Sequence, residues 1–301
     1  MFSPLRRFSL VLAATFALPS LVVHAEEAAD ETISLNIITW NIEWYPGMRR
    51  FARGEEMAAH TAIVDPQLAE MNPDIFLAQE MRDWNSFARL CDGVEGLRPA
   101  SVSAFTSPST GEYWNQQLGI GSKLQVAAAW SEPWNEGSEI IPRRGFNSAV
   151  LRIPGGDFRE NLLIYNVHLK SNLSSNEEEA VQNYRIREES VRQLLAHMKE
   201  MKERVFKDRI KGVIVAGDFN TNDDGQFGDD RTIAMMEEAG FHNTWEGVPR
   251  EERLSWRGSD RFEPTTFDFI FTMGLPKATA RLIPVQEGSS DHWPVQIILD
   301  L

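Results

Sequence analysis

The chain has 301 residues, 42% of them hydrophobic, with 20 Gly and 15 Pro. That is apolar material for one large core or at most two small ones, and it excludes disordered, fibrous and repeat architectures. A formal net charge of −14 argues against a broad basic face gripping nucleic acid through many phosphates, though not against a local basic patch beside an acidic site. Cys91 stands alone, so no intramolecular disulfide is available.

The chain begins with Arg6 and Arg7, an apolar run from Phe8 to Leu18, and small residues Val23 and Ala25 ahead of Glu26 and Glu27. This is the layout of a secretory signal, and residues 1–25 are read as a cleaved signal peptide. A membrane anchor is the alternative, but the run falls short of the ~20 residues of a span and Pro19 interrupts it. Export to the periplasm or the extracellular space is expected, with no stable membrane span, and a monomer.

Apolar or alternating stretches predict strands over 33–44, 74–80, 147–153, 161–169, 212–219, 267–272 and 293–299. Helical spacing appears over 55–72, where Pro66 should break or kink the helix unless it opens a second one. A longer helix is expected over 176–206, with Val181, Tyr184, Val191, Leu194, Leu195, Met198 and Met201 on one face, and a third over 229–240, stopped by Gly240. Region 92–146 reads as loop insertions. No linker divides residues 33–301, so one α+β domain with sheet layers and flanking helices is expected.

Five of these strand regions end or begin in groups that bind ions or phosphates: Asn41 and Glu43, then Glu80, then His168 with Lys170, then Asp218 with Asn220, and Asp291 with His292. Any one alone is most simply a turn residue, a cap or a hydrogen-bonded structural histidine. Together, Glu80, Asp218 and Asp291 with the neutral donors Asn41 and Asn220 make an oxygen-rich cage suited to Mg²⁺, Mn²⁺ or Ca²⁺ rather than zinc. Such an ion beside two histidines suits hydrolysis of a phosphate ester.

The stretches "TWNIEW", "QEMRD", "NVHLKS", "GDFNT", "FDFIF" and "SDHWPV" occur in the order and approximate spacing of the endonuclease/exonuclease/phosphatase superfamily, which the chain resembles from about Leu35 to Leu299. The resemblance implies a four-layered α/β/β/α sandwich, two packed, mainly antiparallel sheets flanked by helices, with the site where strand ends converge. It implies Glu80 as the principal metal ligand, helped by Asn41, with Asp291 near the same ion. Asp218 and Asn220 would position the phosphate or the water, and His292 would be the catalytic histidine held by Asp268. His168 would bind a phosphoryl oxygen or act as a second acid–base group.

"RRGFNSAVL" looks most like the deoxyribonuclease branch, where an arginine ahead of a strand contacts a phosphate; Arg143 or Arg144 would fill that role, with Lys170, Arg82 and Lys123 as further cations. A solvated surface cation is the plain alternative for each. The glutamate that pairs with the first histidine in that branch is replaced here by Asn115, Gln116 and Gln117, leaving His168 without an evident charged partner. Trp114, Trp130 and Trp134 could stack on a base or contact lipid, against a default of ordinary packing.

The expected function is an exported metal-dependent phosphodiesterase acting on nucleic acid, as a DNA endonuclease. A phosphomonoesterase, a sphingomyelinase-like enzyme and a catalytically dead binding module of the same fold are the alternatives. A dead copy should have lost one of Glu80, Asp218, Asn220, Asp268 or His292, and all five are present.

Overall fold

The computed structural model describes residues 32–107, 110–113, 116–135, 144–156 and 160–301, so the signal segment, Arg143, Trp114 and Asn115 lie outside the described residues. In chain order the elements are β1 (Ser34–Tyr45), α1 (Gly54–Met71), β2 (Ile75–Met81), α2 (Trp84–Asp92), β3 (Arg98–Val102), β4 (Gln117–Ser122), β5 (Val126–Pro133), β6 (Gly145–Arg152), β7 (Asn161–His168), α3 (Glu177–Glu200), β8 (Ile210–Asp218), α4 (Thr232–Glu238), β9 (His242–Asn243), β10 (Asp268–Met273), β11 (Arg281–Leu282) and β12 (Val295–Asp300).

The strands form two six-stranded sheets, ordered β11-β12-β1-β2-β4-β3 and β5-β6-β7-β8-β10-β9. Each is mixed: β1 with β2 and β7 with β8 are the parallel pairs, and the other pairs are antiparallel. Side-chain alternation along β1 explains the layering. Leu35 and Ile37 enter the core between the sheets, whereas Ile38, Trp40 and Ile42 pack with Val64 and Leu68 of α1 and Phe87 and Leu90 of α2. On the second sheet, Tyr165 of β7 reaches His197 of α3, while its neighbour Asn166 points the other way and donates to the Ala78 and Gly119 carbonyls of the first sheet. The expected α+β four-layered sandwich is what the chain forms.

Three expectations need correction. Helix α1 runs unbroken through Pro66, with His60, Val64 and Leu68 as its buried face; packing outweighs the one intrahelical bond that proline forgoes. Region 92–146 is not merely loops but carries β3, β4 and β5. Strand β4 escapes a pattern reading because "QLGIGS" holds two glycines; a Cβ on Gly119 would sit 2.5 Å from the Phe87 ring, so the glycine is where α2 lies against the sheet. In α3, Val181 is exposed and the buried face of the first turns is polar, formed by Asn183, Arg187 and Ser190.

Candidate active site

Strand register assembles the first part of the site. His168 is level with Asp218 across the parallel pair β7/β8, and Asp218 is level with Asp268 across the antiparallel pair β8/β10. Residues level on neighbouring strands share a face. This row therefore points where Asn166 points, toward the first sheet, and Asn41 meets it from β1: its amide donates to Asp218 Oδ2 at 2.9 Å. Gly217 makes the row possible, since at φ 139° a Cβ there would lie 2.0 Å from the Val167 carbonyl oxygen. Beneath the site runs a buried polar layer in which Gln79 donates to Thr39 and Asn166.

His292 completes this half. Its Nδ1 lies 2.7 Å from Asp268 Oδ2, which also accepts the Ser255 hydroxyl at 2.7 Å. With Nδ1–H committed to Asp268, Nε2 faces Asp218 Oδ2 at 4.0 Å and Asp291 Oδ1 at 3.9 Å. Burial opposes the imidazolium, but Asp268, with Asp218 and Asp291 behind it, prevails and pushes its pKa up to about 10. Across the site His168 Nε2 lies 3.4 Å from the same Asp218 oxygen and 3.9 Å from Glu80 Oε1. Burial, then the Arg144 and His292 cations, hold His168 well below its ordinary value, so it is the neutral imidazole of the two. His168 thus does have charged neighbours, Asp218 and Glu80. Asp218 is itself raised, first by burial and then by Asp268.

The second part is a group of carboxylates. Alternation along β2 would send Glu80 with Phe76 and Ala78 toward the helices. Its left-handed backbone, φ 60°, and the register break that follows turn it into the site instead, where Oε2 accepts the Trp44 N–H at 3.0 Å. Glu43, which pattern alone left between a site residue and a rim carboxylate, is part of this group: its Oε2 accepts the Asp291 N–H at 3.2 Å, and its backbone is also left-handed at φ 26°. Burial raises its carboxyl to about 7, helped by the nearby Asp291 and Glu80 carboxylates. Glu80 is raised mainly by burial as well. Asp291 is held from outside by the Trp256 indole N–H, 3.0 Å from its Oδ2.

A partly buried place where Asp291 opposes the ionisation of both Glu43 and Glu80 fits a divalent cation, which removes that conflict. Glu80, Glu43 and Asp291 with the Asn41 amide oxygen are the residues that would hold it. The most tightly clustered possible ligands among the described residues are Asp218, Asp268 and His292, but the short Asp268–His292 hydrogen bond commits that pair to proton chemistry.

The remaining candidates divide. Asn220 acts mainly as a fastener: its N–H donates to Asp218 Oδ1 at 2.8 Å and its amide to the Leu169 carbonyl at 3.3 Å. Arg144 lies at the site, donating to the His168 carbonyl at 3.2 Å and to Gln116 Oε1 at 2.8 Å. Lys170 lies on the loop beyond His168, its ammonium 3.1 Å from the Ser171 carbonyl. Arg82 turns away to the Ala52 carbonyl, and Lys123 sits at the opposite end of β2, 3.2 Å from Asp74, so neither is placed for a phosphate. Trp130 stacks on Phe206, and buried Trp134 packs on Phe146, which is ordinary packing.

The family model described as endonuclease/exonuclease/phosphatase matches residues 38–292. The chain belongs to the endonuclease/exonuclease/phosphatase family. With that membership and an intact site it is a metal-dependent phosphoester hydrolase. Solved structures of similar fold include an endonuclease/exonuclease/phosphatase family protein from Bacteroides thetaiotaomicron (17% identity, 90% of this chain and 98% of that one, TM-score 0.61). A mannosyl-6-phosphatase of the same organism aligns at 17% identity over 88% of this chain and 99% of that one, TM-score 0.60. TDP2 from Caenorhabditis elegans aligns at 16% identity over 89% of this chain and 98% of that one, TM-score 0.57. No curated protein matches the chain in sequence. Among the described residues no helix is long and apolar enough to cross a membrane.

Proposed function

We propose that this family member is an exported phosphodiester hydrolase that uses Mg²⁺ or Mn²⁺, with Ca²⁺ a weaker alternative, and acts as an endonuclease on DNA. The reading is carried by one observation: Asp218 Oδ2 stands between two imidazoles, 3.4 Å from His168 Nε2 and 4.0 Å from His292 Nε2, at the same strand ends as the carboxylates of Glu43, Glu80 and Asp291. A bound divalent ion would supply charge compensation for the phosphoryl oxygens and acidify water. The chain's own groups do the rest. Asp218, raised by burial and fixed by Asn41 and the Asn220 N–H, takes the proton of the attacking water. His292, protonated and locked by Asp268, presents Nε2–H to a phosphoryl oxygen and can pass that proton to the leaving oxygen. His168, neutral, orients Asp218 through Nε2. Arg144 adds a fixed cation at the same end of the sheet.

A second reading, a phosphomonoesterase on a small substrate, is favoured by the net charge of −14, which repels a long polyanion, and by Arg144 being held by Gln116 and His168. Substrate panels separate the two. Protein lacking residues 1–25 should nick plasmid DNA and hydrolyse bis-p-nitrophenyl phosphate in a chelator-sensitive way. Equal rates for wild type and His292→Ala on every diester and monoester tried would end the catalytic reading. Turnover of monoesters alone would select the second. Recovery of mature protein beginning after residue 25 from a periplasmic or culture fraction tests export.

A further inference from the structure

Arg187 is wholly buried in α3, on the polar stretch of that helix's inner face. Its Nε and one terminal nitrogen donate to Asp230 Oδ2 at 2.9 and 2.6 Å, and the other terminal nitrogen donates to the Lys170 carbonyl at 2.7 Å. Asp230 is also buried, and its second oxygen accepts the Thr232 N–H at 2.9 Å and the Thr232 hydroxyl at 2.6 Å, where α4 begins. We propose, building on the hydrolase reading, that Arg187 is a positioning residue for the reaction: one guanidinium that fixes both the loop after β7 and the loop after β8.

These two loops leave the neighbouring parallel strands that deliver His168 and Asp218. Lys170 is two residues beyond His168, and Asp230 closes the segment that starts at Asp218 and Asn220. The loops are laced to each other: the Leu169 N–H donates to the Asp218 carbonyl at 2.9 Å, the Asn220 amide to the Leu169 carbonyl, and the Asn172 amide to the Asn220 carbonyl. Arg187 ties the laced pair to the long helix behind it. A role in stability alone needs only the Asp230 pair, and a buried ion pair is in general replaceable by apolar side chains without loss of stability. The third bond, to a loop carbonyl beside a catalytic strand end, is what a pair made only for folding does not require. It also needs the planar fork: an ammonium at position 187 could neutralise Asp230 but could not serve Asp230 twice and Lys170 once from the same place.

The test uses full mature protein with Mn²⁺ and bis-p-nitrophenyl phosphate, well below the melting temperature of each variant. Arg187→Met should lower kcat about tenfold or more while KM stays within about twofold, since a small misplacement of reacting groups costs that much or more. Arg187→Lys should remain low, because restoring the charge does not restore the Lys170 bond. Hydrogen exchange should quicken at the amides of Leu169, Asn220 and Thr232 in both variants while the β7/β8 ladder stays protected. If Arg187→Met fails to fold, Arg187→Lys and Asp230→Asn carry the same two measurements. A kcat within about twofold of wild type in the folded variants, or full recovery by lysine, overturns the proposal. A wild type inactive on this diester and on p-nitrophenyl phosphate alike would sink the hydrolase reading instead, and the exchange pattern would then decide the clamp by itself: no quickening at the three amides, no clamp.

Discussion

His292 Nδ1 and Asp268 Oδ2 are 2.7 Å apart, buried, with the Ser255 hydroxyl on the same carboxylate oxygen. The arrangement fixes which imidazole nitrogen faces Asp218 and keeps the ring charged. Asp268→Asn keeps the shape but removes the charge and can hold the wrong tautomer. It should lower kcat at least about a hundredfold, with the His292→Ala, Asp268→Asn double variant little worse than either single one. Steady-state rates on a small diester check this; additive losses would mean the two residues act separately.

Glu43 should matter to ion binding as well as to the rim. Glu43→Gln should raise the Mg²⁺ or Mn²⁺ concentration for half-maximal activity by about tenfold. In the wild type, Glu43 takes up a proton as pH falls through about 7, so ion affinity should fall from the alkaline to the acid side of that value. Titration calorimetry across that range measures it, and the Glu43→Gln protein should lose this part of the dependence. An unchanged ion requirement would return Glu43 to the rim.

Gly217 is the backbone counterpart of these side chains. An alanine there would carry a Cβ 2.0 Å from the Val167 carbonyl oxygen at φ 139°. Gly217→Ala should cost about 2 kcal/mol or more, read as a lower denaturation midpoint, and should reduce activity in the protein that remains folded. Gly225→Ala, where nothing lies within 4 Å of the added atom at φ 74°, is the milder comparison.

His60 bridges the loop after β1 and the approach to Asp291. Its Nδ1 accepts the Gly47 N–H at 2.7 Å and its Nε2–H donates to the Ser289 carbonyl at 2.7 Å, a pattern only the neutral ring can satisfy. Burial pushes its pKa below the usual 6.5. The sign follows: a depressed folded value gives stability that is complete above the unfolded pKa and lost as pH falls through the folded one. Melting temperature should drop on acidification from about pH 8 to about pH 5, and less steeply in His60→Gln. Parallel curves for the two proteins would remove His60 from the account.

Much of the site was legible because its ingredients are local. The strand stretches around Asn41, Asp218 and His292 announce themselves by apolar runs that end in polar residues. The spacing of Asn41 and Glu43 already put them on one face. What stayed hidden was non-local. Edge strand β5 has no side fully buried and so no clear alternation, and β4 carries glycines that only α2 explains. Arg187 reads as one more surface cation on a charged helix until Asp230 and the Lys170 carbonyl close around it. Lys123 looked like a phosphate ligand, and the sheet carried it to the far end.

The sequence by itself determined where the strands that carry the site lie, which residue types stand at their ends, and hence the family and its chemistry, because alternation and residue type act over a few neighbours. Tertiary structure decided which of those ends meet. Register set His168, Asp218 and Asp268 in one row, and a left-handed backbone turned Glu80 inward against its alternation. Burial lowers both histidines; it prevails at His168, whereas the Asp268 carboxylate overcomes it at His292. Desolvation and charge proximity depend on residues far apart in the chain, and no local pattern carries them.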